Sequence, residues 1–131
     1  PTDKHVALVR QMADEDPTEY GRMKAALAMA RTGCKEMLPP ITLAAESAAD
    51  PFDRAAAVEA LGLLGHKDDL ATVLGQIDHA DAYVRLCTVE AADRIDSSAA
   101  KVTQLAARLA DADPDARVRL QAAKLLAGRR K

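Results

Sequence analysis

The chain has 131 residues, which is enough for one domain with a modest core, and its formal net charge is −2. A nearly neutral, slightly acidic chain has no general attraction for nucleic acid or anionic membranes, so these partner classes are disfavoured. Apolar residues make up 49% of the chain but aromatic residues only 2%, and this composition favours close-packed α-helices over strands.

The two cysteines, Cys34 and Cys87, are too few for a disulfide framework and lack CxxC spacing. We expect free thiols in a reducing compartment, and therefore a cytoplasmic protein. No apolar run reaches the roughly 18 residues needed to cross a membrane, and no signal-peptide pattern opens the chain.

Apolar residues recur along the chain with the 3.6-residue period of amphipathic helices. Eight helices are predicted, and because the links between them are short, consecutive helices should be antiparallel neighbours. Their approximate ranges are 4–13, 17–32, 38–48, 51–64, 67–78, 81–94, 98–111 and 114–127.

Recognisable capping residues mark the predicted helix ends. Aspartate precedes proline at Asp16, Asp50 and Asp113. The carboxylate can accept hydrogen bonds from the first backbone N–H groups of a helix, and proline is tolerated at the first helical position. Asp81 marks a fourth start without the proline, and Gly65 fits a C-cap, where a positive φ is needed.

An arginine follows each of these starts, and an alanine-rich run follows each arginine. The arginines are Arg22, Arg54, Arg85 and Arg119, at steps of 32, 31 and 34 residues. A period of this size indicates a repeat architecture, in which each unit buries its apolar stripe by stacking on its neighbours. An aspartate stands four residues before each of the last three arginines, and these pairs are predicted to form a ladder between units.

We therefore predict a single all-α domain over residues 1–131. Its complete units span approximately 16–49, 50–79 and 80–112, with partial units at 1–15 and 113–131. The first and last predicted helices are apolar on more than one side. At least one end should consequently be covered, either by self-association or by continuation of a longer chain.

Three segments carry a family likeness: DPFDRAAAVEALGLLG from residue 50, DAYVRLCTVEAADRI from residue 81 and DPDARVRLQAAKLL from residue 113. They resemble the HEAT-like repeat named after phycobilisome lyases, and the resemblance covers roughly residues 12–128. Gly21 and Asp93-Arg94 depart from the pattern, which expects valine and leucine–glycine at these places. The resemblance implies a short right-handed α–α superhelix of about eight antiparallel helices, a HEAT-like or armadillo-type solenoid.

HEAT-like arrays are mostly protein-binding scaffolds, so the resemblance implies a non-catalytic module that binds another protein or peptide. Some members are subunits of bilin-attaching enzymes and some distant relatives bind DNA. A bilin-lyase-type subunit or chaperone is therefore one alternative, and a nucleic-acid-binding protein is a second. The scarcity of aromatic residues argues against stacking on a tetrapyrrole, and no cofactor is predicted.

In HEAT-type helix pairs the second helix generally lines the concave face. On each second helix the apolar stripe faces the core and the remaining residues face outward. Read across the units, these outward residues form one column. This column changes from apolar through acidic-polar to basic, which suits a protein or peptide better than a polyanion. The competing interpretation, given equal weight, is that these are ordinary solvated faces. The predicted protein-binding residues are Met37, Pro40, Asp69, Thr72, Gln76, Lys101, Gln104 and Arg108.

No constellation of side chains predicts catalysis or metal binding. His66 and His79 lie in predicted polar turns and lack the spacing of a metal site. Cys87, inside an alanine-rich helix, is predicted to be a small core residue, whereas Cys34 falls in a predicted turn. Pairing of a cysteine with a histidine as nucleophile and base is left open.

Overall fold

The structure, a computed structural model, describes residues 38–129, without the side chains of 38–40, and six earlier helical residues: Lys24, Ala25, Leu27, Ala28, Ala30 and Arg31. All regular structure in this described part is helical, as predicted. The helices are α1 (Leu38–Ser47), α2 (Pro51–Leu64), α3 (Leu70–Leu74), α4 (Ala82–Asp96), α5 (Ala100–Ala112) and α6 (Ala116–Arg129). A 3₁₀ turn, Lys67–Asp69, leads into α3. The predicted helix 4–13 and most of 17–32 lie outside the described residues.

Alternate helices stack on one another along the chain. The most extensive helix contact joins α2 to α4, and α4 in turn packs against α6. The intervening helices cover this row, with α1 on α2, α3 on α4, and α5 on both α4 and α6. This stacking of helix pairs is that of the predicted all-α solenoid.

The core consists of small aliphatic side chains, as the composition predicts. One cluster joins the early helical residues to helices α1–α5, and its larger fully buried members are Ile41, Val58, Leu61, Val73, Val84 and Val102. A second cluster lies between α4, α5 and α6, and it contains Ile77, Val89, Leu105, Ala106, Leu109, Val118 and Ala122. Each helix therefore buries its apolar stripe only through its neighbours in the array.

Aspartates begin the first helices of the units, as predicted. The Asp50 carboxylate accepts hydrogen bonds from the backbone N–H groups of Phe52 (2.8 Å) and Asp53 (3.4 Å). Asp81 caps α4 in the same way. Gly65 ends α2 with φ +70°, a conformation that costs an L side chain free energy, so the C-cap prediction is confirmed.

One predicted helix is broken in the structure, and the last helix begins later than predicted. The prediction of one helix over 67–78 is wrong: a 3₁₀ turn precedes a five-residue α3, which ends before Gly75. The last helix begins at Ala116 rather than 114, because Asp113 closes α5 and a second aspartate, Asp115, accepts the backbone N–H of Arg117 (2.8 Å).

The three recurring arginines that the structure describes make the same backbone bond. Arg54 Nε donates to the Ala48 carbonyl (2.9 Å), and Arg85 Nη1 donates to the His79 carbonyl (2.8 Å). Arg119 Nη1 donates to the Asp113 carbonyl (2.6 Å). Each acceptor lies six residues earlier, and we call these bonds arginine ties. They replace the predicted Asp–Arg ladder, since the capping carboxylates of Asp50 and Asp81 bind backbone N–H groups of their own helices.

The α2–α4 contact is unusually close at Gly62. A Cβ atom placed on Gly62 would lie 2.7 Å from the Ala91 Cα and 2.8 Å from the Ala91 Cβ. Side chains essentially never approach this closely, so a larger residue at Gly62 would force α2 and α4 apart.

Candidate functional site

A solvent-exposed groove runs between α3 and α5. Leu74, Ile77 and Leu105 form its apolar floor. Lys101, Gln104 and Arg108 stand along one side, spaced by three and four residues so that they share one face of α5. A second hollow continues the groove toward the end of α5, and it shares Ile77 and Arg108 with the first.

Three of the eight predicted binding residues therefore lie together. Lys101, Gln104 and Arg108 are all exposed on α5. Thr72 on α3 is half-buried, and its hydroxyl donates to Glu46 Oε1 on α1 (3.2 Å) rather than lining the groove. Met37 and the side chain of Pro40 lie outside the described residues.

Two other predicted binding residues are buried, so their predicted outward orientation is wrong. Gln76 lies beyond the short α3, and its Oε1 accepts a hydrogen bond from Arg54 Nη1 (2.8 Å). Asp69 lies in the 3₁₀ turn and is also buried. The extrapolated period assumed one continuous α-helix over 67–78, and the 3₁₀ turn and the early end of α3 shift both side chains inward.

Gln76 and Gln104 make a matched pair of variants. We expect Gln76→Ala to lower the free energy of unfolding by about 1–3 kcal/mol, because a hydrogen bond to the charged Arg54 is lost at a buried position. Gln104→Ala should change it by less than about 0.5 kcal/mol, since Gln104 is exposed. Urea denaturation measures both. Equal losses of unfolding free energy in the two variants would contradict the conclusion that Gln76 is a structural residue and Gln104 a surface residue.

The side of the groove formed by α5 is basic. Arg108 Nη2 lies 3.4 Å from Asp78 Oδ1, and both side chains are well exposed, so solvent screens this pair and it opens at little cost. Lys101 is exposed one helix turn from Gln104. Because Asp69 and Gln76 are buried, the predicted acidic-polar part of the column does not face the groove.

Asp69 is a poorly compensated buried acid. Its Oδ2 is buried without a hydrogen-bond partner. Burial raises the pKa of this carboxyl, and neighbouring Asp68 raises it further, while His66 opposes both. The ionised form at neutral pH therefore destabilises the folded chain.

Asp69→Asn should consequently stabilise the fold. We expect a gain of about 1 kcal/mol at pH 7, since an amide is less costly to bury than a carboxylate. Because the pKa of Asp69 is raised in the folded chain, its destabilising effect is complete above that pKa and disappears as the pH falls to the pKa of the unfolded chain. The stability gained by Asp69→Asn should therefore shrink in acid. Chemical denaturation at several pH values tests this. Asp111→Asn, at an exposed site on α5, is the control, and a loss of stability in Asp69→Asn would refute the expectation.

Among the candidate thiol and imidazole groups, Cys87 and His79 have structural roles, whereas His66 Nε2 is buried without a hydrogen-bond partner. Burial, with the charges of Glu90 and Glu59, raises the pKa of the Cys87 thiol to about 12, although a hydrogen bond with Tyr83 opposes this. A thiol of that kind is a packing residue, as predicted. His79 Nδ1 accepts the backbone N–H of Asp81 (3.0 Å).

No group of three or more His, Cys, Asp or Glu side chains in the described part of the chain could hold a metal ion. Cys34 lies outside the described residues.

One surface feature was missed by the sequence analysis. Phe52 on α2 and Tyr83 on α4 are exposed and meet edge to face, with ring centroids 6.1 Å apart and an interplanar angle of 75°. Phe52 stands two residues before Arg54, and Tyr83 two before Arg85. The repeat register therefore contained the signal, because equivalent positions on stacked helices lie side by side.

Comparison with known protein families agrees with this architecture. A family model described as HEAT repeats matches residues 6–85 and again residues 38–127, which together cover most of the chain. The chain belongs to the HEAT-repeat family. HEAT repeats generally mediate contacts between proteins and are generally non-catalytic. The narrower resemblance to phycobilisome-lyase-type repeats stays a prediction.

A search of curated proteins finds no match to this HEAT-repeat chain. None of the helices in the described residues combines the length and the apolar character that crossing a bilayer requires.

Proposed function

We propose that this HEAT-repeat chain is a non-catalytic binding module that holds a segment of another protein in the groove between α3 and α5. The groove beside the exposed side chains of Lys101, Gln104 and Arg108 is the observation that carries the proposal, with half-buried Leu74 and the upper surfaces of Ile77 and Leu105 as its apolar floor. Solvent-exposed apolar grooves edged by polar groups are typical of protein interaction sites. The general role of HEAT repeats supports the same conclusion.

The chemistry of the groove defines the partner segment. Leu74, Ile77 and Leu105 would bury apolar side chains, and this burial would supply most of the affinity. Lys101 and Arg108 would attract carboxylates, chiefly raising the association rate and making binding sensitive to salt. The partner is therefore a segment that combines apolar residues with Asp or Glu. We place this function in the cytoplasm, because the thiols are predicted to be reduced.

Selection of peptides on the full chain tests the proposal. The probe is a displayed library of random peptides of about twelve residues. Enriched sequences should combine apolar residues with Asp or Glu. In an isotope-labelled chain, a selected peptide should shift the backbone amide signals of α5 and of the segment around Leu74 and Ile77.

Charge reversal provides the matched comparison. The double variant Lys101→Glu, Arg108→Glu should weaken binding of a selected peptide by about tenfold or more. Lys67→Glu, on an exposed lysine outside the groove, is the control and should leave binding within about twofold. Absence of enrichment, or equal weakening in the control, would refute the proposal.

A further inference from the structure

The aromatic residues of the chain all occupy one position of the repeat. The chain contains only two tyrosines, one phenylalanine and no tryptophan. Tyr20, Phe52 and Tyr83 each stand two residues before a recurring arginine, and Arg117 holds this position in the last unit. Tyr20 lies outside the described residues, so the surface is built from the other three.

Phe52 and Tyr83 form an exposed pair, here called the aromatic ridge. They are 69% and 41% exposed, and their rings meet edge to face. Helix α4, which carries Tyr83, has α2 on one side and α6 on the other, so an end of the sequence does not account for this exposure. Large aromatic side chains that remain in contact with solvent at a repeated position indicate a contact surface.

A hollow lies on each side of the aromatic ridge, and both rings line both hollows. One hollow extends toward the early helical residues and includes Leu27 and Ala56. The other extends toward α6 and includes Leu86 and Val118. A segment that lies over the ridge can therefore place one apolar group on each side of it.

The charged side chains beside the aromatic ridge are already bound within the chain. Arg117 Nη2 lies 3.0 Å from Asp115 Oδ2, and Arg31 Nη2 lies 3.7 Å from Glu59 Oε1. The Asp81 carboxylate caps α4. Electrostatic complementarity therefore favours a segment without charged side chains, because a charged segment would have to compete with these contacts.

The spacing of the helix row fits the polyproline II conformation. Packed helices lie about 8–10 Å apart. A polyproline II segment repeats every three residues, which is about 9 Å, so a segment that crosses the row presents an equivalent residue to each successive helix. An α-helix repeats after about 5.4 Å, and a strand returns to the same face after about 7 Å, so neither matches the row in this way.

We propose that the aromatic ridge binds an uncharged, proline-rich segment of another polypeptide, which lies across α2, α4 and α6 in the polyproline II conformation. Its proline rings pack into the two hollows against Phe52 and Tyr83. The backbone of such a segment has no internal hydrogen bonds, so its carbonyls require donors. Arg117 binds Asp115 through Nε and Nη2, and its Nη1 can donate to one of these carbonyls. The ridge and its hollows share no residue with the α3–α5 groove.

Oligoproline provides the probe, because it adopts the polyproline II conformation and carries no side-chain charge. A peptide of about twelve prolines with blocked ends is added to the isotope-labelled full chain. It should shift the backbone amide signals at the starts of α2, α4 and α6. A flexible glycine–serine peptide of the same length should bind about tenfold more weakly or less, since it has no preformed conformation. Peptides with lysine or glutamate at every third position should bind no more tightly than oligoproline.

Ring variants locate the contact. Phe52→Ala and Tyr83→Ala should each weaken binding of oligoproline by about fivefold or more, because each removes a ring that lines both hollows. Tyr83→Phe keeps the ring and should bind within about twofold. Leu43→Ala is the control, since Leu43 is 66% exposed on α1 and lines neither hollow. The Lys101→Glu, Arg108→Glu variant should also bind oligoproline normally, which separates the ridge from the groove.

Three results would overturn the proposal. Equal binding of oligoproline and the glycine–serine peptide would remove the conformational argument. A lysine peptide that binds about tenfold more tightly than oligoproline would assign the ridge to a cationic segment instead. Equal weakening in Leu43→Ala, or amide shifts away from the ridge, would place the contact elsewhere. Circular dichroism of Phe52→Ala should show an unchanged helix content, because Phe52 is exposed.

Discussion

Arg85→Ala should lower the free energy of unfolding by about 3–5 kcal/mol, because it leaves a buried carboxylate without its cation. Arg85 Nε lies 2.9 Å from Asp113 Oδ2, and Nη2 donates to Oδ1 at 3.1 Å. The side chains are 11% and 2% exposed, respectively. Arg85 Nη1 also donates to the carbonyls of His79 and Ala80, so this one side chain joins α4 to the turn before it and to Asp113 at the end of α5.

The pH dependence gives this prediction a second readout. Burial tends to raise the Asp113 pKa, but the hydrogen bonds and charge of Arg85 outweigh it and hold that pKa below its ordinary value. Because the pKa of Asp113 is lower in the folded than in the unfolded chain, this carboxylate stabilises the fold at pH values above its unfolded pKa of about 3.9. That contribution is lost as the pH falls through the pKa of the folded chain. In Arg85→Ala burial and the charge of Asp115 raise the Asp113 pKa, and only the backbone N–H of Asp115 still lowers it. The sign should therefore reverse, and acid should narrow the difference in unfolding free energy between the wild-type chain and Arg85→Ala.

Urea denaturation between pH 3 and pH 7, a range that brackets the ordinary carboxylate pKa of about 3.9, measures both effects. The control is Arg117→Ala, which removes an exposed arginine paired with Asp115 and should cost less than about 1 kcal/mol. A similar loss in the two variants, or an Arg85→Ala loss that is independent of pH, would contradict the account.

Gly62→Ala should destabilise the chain by about 1–3 kcal/mol, even though alanine favours helix by about 1 kcal/mol over glycine. The added methyl group would overlap the Ala91 Cα, which belongs to the backbone, so α2 and α4 would have to move apart. Adding Ala91→Gly should restore little, because that change leaves the Cα in place.

Thermal unfolding of Gly62→Ala and Gly128→Ala compares a crowded with an open glycine. A Cβ atom on Gly128 would meet no neighbouring atom within 4 Å, so the substitution should be neutral or stabilising by up to about 1 kcal/mol. A stabilised Gly62→Ala would show that the helices separate without cost, which would contradict close packing at this crossing.

The sequence predicted the fold best where local signals were complete. The limits of α2 were predicted to the residue, because Asp50, Pro51 and Gly65 mark both ends. The segment from 67 to 78 lacks comparable stop signals, and apolar periodicity alone does not separate a 3₁₀ turn and a short helix from one long helix. Two aspartates, Asp113 and Asp115, precede α6, and either could cap it. Because Asp113 stands directly before Pro114, the pattern predicted a start at 114, whereas the helix begins at Ala116.

The residues of the candidate site were likewise predicted correctly only where the helix itself was. Lys101, Gln104 and Arg108 were placed together because α5 is a regular helix whose period holds along its length. Gln76 and Asp69 were misplaced because their helix was misread. The bonds from Arg54 to Gln76 and from Arg85 to Asp113 span 22 and 28 residues, and a local pattern carries no signal for such partners.

The arginine ties also bear on how such a protein can change length. Each donor and its acceptor are separated by only six residues, so the joint between successive helix pairs is contained in a short stretch of chain. Duplication of one segment of about 32 residues would copy its joint as well. The array can therefore gain or lose whole segments during evolution without a new joint having to be invented.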